Sequence, residues 1–140
     1  MLKNFILSMA IVTSFMAQAP EEDQAELFDI VQGMVVETLP IHDTTVMNIE
    51  ACLETISGIV KQVSPIPKAG YMLKIPLKDD YFIDNEWFQS SINEIIIIYP
   101  NESTEQPYIL LFDEEHHAHF LYVNADLHDL FLKVLLETTW

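Results

Sequence analysis

The segment Asp113-Glu114-Glu115-His116-His117-Ala118-His119 holds three consecutive acids and three of the chain's five histidines. Residues two apart on a β-strand point to the same face, so His117 and His119 would present two imidazoles side by side. Imidazole nitrogens with a carboxylate can hold zinc or another first-row divalent ion, which makes this pair the candidate metal site. The competing reading is a polar hairpin tip with exposed histidines. A second segment, Asp79 to Phe88, mixes acids with aromatics. Asp79, Asp80, Asp84 and Glu86 surround Trp87, and aromatic anchors inside a polar rim are the composition of protein interfaces. Together with Asp113, Glu114 and Glu115 they form the candidate partner-binding set. Here the competing reading is that Tyr81, Phe82, Trp87 and Phe88 close one end of the core.

Other chemistry finds little support. His117-Ala118-His119 resembles the His-x-His of the cupin metal motif. A cupin, however, carries a glutamate four or five residues later, where this chain has Val123 and Asn124, and the cupin glycines are missing. No GxSxG elbow or cysteine-protease signature occurs. Cys52 is the single cysteine, so no intrachain disulfide can form, and its place on the apolar side of a predicted helix suits a buried thiol. The three glycines, Gly33, Gly58 and Gly70, are isolated and form no phosphate-binding loop. No catalytic residue and no cofactor is expected.

Charge narrows the partners. The chain has 22 acidic residues against six lysines, with no arginine, for a formal net charge of -16. Phosphate backbones and anionic membrane surfaces would repel it, so nucleic acid is not an expected partner. A basic protein would be steered toward it. Lys61, Lys68, Lys74 and Lys78 fall in one stretch, whereas from Asp79 onward Lys133 stands alone against thirteen acids. The negative face is therefore expected from the C-terminal half.

The elements that would position these residues follow from periodicity. Residues 1–19 have a lysine, a short apolar run and Ala-Gln-Ala, the layout of a secretory signal peptide. The alternative is a buried N-terminal helix. Residues 20–140 read as one α+β domain. Leu27, Phe28, Val31, Met34, Val35 and Leu39 predict a helix over 20–39. Val46, Ile49, Leu53, Ile56, Val60 and Val63 predict another over 44–63, started by Asp43 or Thr44, and the two should pair as a helical hairpin. Strands follow at Tyr71–Leu77, where Pro76 suggests an edge or an early end, and at Glu94–Tyr99, whose four isoleucines suit burial on both faces. A short helix from about Asp84 separates them. Tyr108–Phe112 and His117–Val123 form a hairpin, and a last helix is capped by Asn124. The expected fold is α+β: an N-terminal helical hairpin packed on a three- to four-stranded, mostly antiparallel sheet, closed by a C-terminal helix.

Small size, acidity and the lack of catalytic motifs resemble inhibitor or immunity-type proteins of bacteria. The expected function is non-catalytic neutralisation of a basic toxin or enzyme by direct contact. One alternative is a secretion chaperone, which needs an exposed apolar patch. The other is a metal-binding protein or enzyme built on His117 and His119. Cleavage of residues 1–19 would make the protein periplasmic or secreted with no stable membrane association, and retention would make it cytoplasmic.

Overall fold

Seven antiparallel strands form one sheet in the computed structural model, which describes residues 24–62, 64–102 and 104–137. They are β1 (Gln24–Asp29), β2 (Met34–Pro40), β3 (Ile56–Ile59), β4 (Gly70–Asp84), β5 (Gln89–Pro100), β6 (Tyr108–Phe112) and β7 (Ala118–Val123). The spatial order is β2-β1-β4-β5-β6-β7-β3. Helix α1 (Asp43–Leu53) carries the chain from the β2 edge to the β3 edge, and α2 (Leu127–Glu137) follows β7. No helix among the described residues is long and apolar enough to cross a membrane. The expected signal peptide or buried helix over residues 1–19 lies outside the described residues.

The expected helical hairpin on a three- to four-stranded sheet is overturned, because the protein is mostly β. The described part of 20–39 is a β-hairpin, in which Leu27 pairs with Glu37 and Asp29 with Met34. Its turn is specified by Asp29, whose carboxylate accepts hydrogen bonds from Gln32 N (3.0 Å) and Gln32 Nε2 (3.2 Å). Gly33 closes that turn at φ 67°, a left-handed conformation that favours glycine. The three- and four-residue spacing that mimicked a helix is instead divided between two sheet faces. Ala25 and Leu27 pack on the helix side, while Phe28 and Val35 pack on the other.

The second expected helix ends ten residues early. Ile56 and Ile59 instead pair with Val123 and Leu121, forming the edge strand. Thr55 joins the two segments: its carbonyl accepts from Asn124 N (2.9 Å) and its hydroxyl from Ala125 N (3.0 Å). Helix α1 starts after His42, with no side-chain cap from Asp43 or Thr44. Helix α2 is capped by Asp126 rather than Asn124, through Asp129 N (3.0 Å).

Strand β5 explains why the sheet is buried on both sides. Ile95 and Ile97 join Leu73, Ile75, Ile109 and Leu111 under α1 and α2. Ile96 and Ile98 join Phe28, Met72, Tyr108 and Leu110 on the reverse face, with Val60 and Ile66 from the segment after β3. All four isoleucines are at most 1% exposed, and each such burial contributes roughly 1.5–3 kcal/mol. Tyr108 fixes the covering segment by donating its hydroxyl to the Pro65 carbonyl.

Pro76 lies in a central strand, not at an edge. The ladder breaks there: Pro76 pairs with Glu94, and the next pair is Tyr81 with Ile92. Residues 77–80 thus bulge opposite Asn93 alone, and a bulge is where proline's missing N–H is tolerated within a sheet. The expected short helix from Asp84 is also absent. Asn85 forms a turn instead, its side-chain oxygen accepting from Trp87 N (2.7 Å) and Phe88 N (2.9 Å).

Candidate functional site

Three irregular features lie toward one end of the sheet: the 77–80 bulge of β4, the β4–β5 turn and the β6–β7 turn. Asp79 and Asp80 are exposed on the bulge, Asp84 at the end of β4, Glu86 on the β4–β5 turn, and Glu114 and Glu115 on the β6–β7 turn.

The β6–β7 turn is organised by Asp113. Its Oδ1 accepts from the backbone N–H of Glu115 and of His117, both at 2.9 Å. Its Oδ2 lies 2.9 Å from His119 Nε2 and 3.6 Å from His117 Nδ1. The bond to His119 and those to the backbone hold the Asp113 carboxyl down to about 2, against an ordinary 3.8. His116 takes the left-handed corner at φ 65°. The His119 ring stands edge-on to Phe88, with centroids 5.0 Å apart. Glu114 docks the turn on β5: its N–H donates to Ser90 Oγ (3.0 Å), and its carboxylate accepts from Ser91 N (3.3 Å).

This docking creates a hollow of about 570 Å³. Asp80 from the bulge, Glu94 from β5, and Asp113 and Glu114 from the turn all line it. Lys74 lies at its base, almost wholly buried and 3.1 Å from Glu26 Oε1. Among the described residues no hydrogen bond reaches that oxygen, and the ammonium compensates it electrostatically. Burial raises Glu94 above the usual carboxylate range; Lys74 opposes the shift and Glu26 adds to it. The hollow therefore carries four carboxylates, and the one lysine in its lining faces a fifth.

The sequence-predicted partner residues fall in four places. Asp80, Asp113 and Glu114 meet at the hollow, although more than thirty positions separate Asp80 from the other two. Asp84, at the end of β4, and Glu86 and Glu115, on the neighbouring turns, are exposed outside its lining. Trp87 is half-buried and packs against the helix-side core. Phe82 is the exposed aromatic of this segment, at 65%. Asp79 lines a second, smaller hollow between the bulge and α1, together with Asp80, Asp43 and Glu50.

His117 and His119 do not lie together on a strand, because β7 begins at Ala118. Both are directed to the Asp113 carboxylate. Among the described residues no group of three or more His, Cys, Asp or Glu side chains is placed to hold a metal ion. Cys52 is buried in α1, and burial pushes its thiol up to about 11, which leaves it inert as a nucleophile at neutral pH.

Sequence reasoning missed Glu94, Lys74, Asp43 and Glu50. A signal existed for two of them. Lys74 interrupts an apolar strand, and Glu94 abuts the isoleucine run, so each is a charge at a position that a sheet buries. No family model matches the chain, and neither a curated protein nor a solved structure matches it.

Proposed function

We propose that this chain is a non-catalytic acidic binding protein, of the inhibitor or immunity type, that covers a cationic surface on a basic toxin or enzyme. The observation that supports this reading is the convergence of Asp80, Glu94, Asp113 and Glu114 around one hollow. The carboxylates come from three separate elements of one sheet, and those of Asp113 and Glu114 are fixed by hydrogen bonds before a partner arrives. A preorganised negative surface speeds encounter with a basic partner and loses less entropy on binding. The arrangement offers a lysine or arginine several acceptors.

The test is kinetic. A basic protein recovered with the full chain from its host should associate more slowly as salt rises, with association falling on the order of ten-fold or more between low and physiological ionic strength. An association rate indifferent to salt would remove the electrostatic basis of the reading.

A further inference from the structure

We infer that the smaller hollow between α1 and the β4 bulge is a second contact surface for the same basic partner, and that it takes an apolar side chain flanked by lysine or arginine. This inference rests on the reading above and adds the chemistry of the segment that binds. The hollow measures about 250 Å³ and has Val46, Met47 and Leu77 among its lining residues. Its borders are charged on both sides. Asp43 and Glu50 stand on α1, and Asp79 and Asp80 on the bulge, with Lys78 the one basic residue of the lining. Leu77 belongs to the core and Val46 is packed against it, but Met47 is 68% exposed. Nothing in the packing of α1 requires an apolar side chain at this exposed position. The helix buries Thr45, Ile49, Cys52 and Leu53, and Met47 lies off that stripe.

An unbranched thioether on an open surface adapts to irregular apolar partners, and here acids border it on two sides. Charge complementarity therefore selects the occupant: an apolar residue alone gains nothing from the borders, and a purely basic segment leaves Met47 in water. Continuity supports a single partner. Asp80 lines both this hollow and the larger one, which opens toward the opposite face of the sheet, so a bound segment that uses both passes around the bulge.

The experiment uses the full chain labelled at its methionine methyls and two synthetic peptides of equal charge, acetyl-KKLKK-amide and acetyl-KKSKK-amide, titrated at low ionic strength. The leucine peptide is expected to bind on the order of five-fold more tightly than the serine peptide and to shift the Met47 methyl signal. Met47→Lys, an exposed change that leaves the core intact, should erase the preference, while Met47→Leu should keep it. Equal binding of both peptides with a silent Met47 methyl overturns this inference and leaves the acidic-surface reading standing. Binding of neither peptide, or binding that survives Asp80→Lys with Glu114→Lys, overturns both.

Discussion

The two ends of the sheet are built differently. At the far end, where β1 and β5 finish and β4 begins, backbone bonds join separate segments, and Asp29 ties down the β1–β2 turn. Ile30 N donates to the Gly70 carbonyl and Asn101 N to the Ala69 carbonyl, both at 3.1 Å. Charges there are mixed, with Lys61 and Lys68 near in sequence to the β4 start and Glu102 and Glu105 in the β5–β6 turn. At the acidic end the turns keep their own backbone bonds and are tied further by side chains: Asp113, Asn85, Ser90 and Glu114. Polar side chains that tie down a turn also leave its remaining acids pointing outward. The comparison teaches that one end closes the fold and the other displays charge, and the two roles can be broken separately.

The largest effect should come from the far end. Gly70 has φ +127°, and a Cβ there would strike the Tyr99 carbonyl and stand 2.8 Å from Asn101 N. Gly70→Ala is expected to cost about 3 kcal/mol or more, read by chemical denaturation, because strain and backbone overlap add. What remains folded should still bind a cationic peptide. A variant of full stability would show that this end does not hold the sheet.

A smaller, local effect is expected at Asp113. Asp113→Asn should leave the sheet folded but speed amide exchange at Glu115 and His117 about ten-fold, since the acceptor weakens. The pH dependence has a definite sign. The folded carboxyl sits at about 2, below its ordinary 3.8. Its contribution is therefore complete above about pH 4 and disappears as pH falls through 2. Amide protection in the turn that persists unchanged at pH 2 would contradict this.

The smallest effect should come from Glu94. Its carboxyl is raised above the ordinary 4.5, so the unfolded chain releases that proton first, and stability falls as pH rises through the ordinary value. Glu94→Gln is expected to raise the melting temperature at pH 7 by a few degrees and to change little at pH 4, reflecting relief of a buried charge. A loss of stability at pH 7 would mean that Lys74 depends on Glu94 as well as on Glu26.

The reach of the sequence differs between these regions for physical reasons. The isoleucine run of β5, the β6–β7 hairpin and the last helix were legible because each is specified by a local pattern. The negative end was legible as a set of residue types: Asp80, Asp113 and Glu114 were singled out before anything placed them together. The N-terminal half departs from the helical reading because Leu27, Phe28 and Val35 fit a helical period as well as two opposite faces of a hairpin, with Val31 in its exposed turn. Asp29 with Gly33 was the turn signal that should have decided between them. Ile56 and Ile59 could not be assigned locally, since their partners Val123 and Leu121 lie more than sixty residues away. Glu94 and Lys74 stayed hidden as site residues because the bulge that opens the hollow beside them is a matter of register, which a single strand does not reveal.

The central claim is that the acidic end, and not overall charge, binds the partner. Two double variants of equal charge change decide it: Asp80→Lys with Glu114→Lys at the acidic end, and Glu102→Lys with Glu105→Lys at the far end. Each is titrated with the same lysine-rich peptide at one fixed, low ionic strength, with folding checked by circular dichroism. The acidic-end pair should weaken binding on the order of a hundred-fold and the far-end pair less than about three-fold. Equal losses from the two pairs would show that net charge alone draws the peptide, and would contradict a built acidic site.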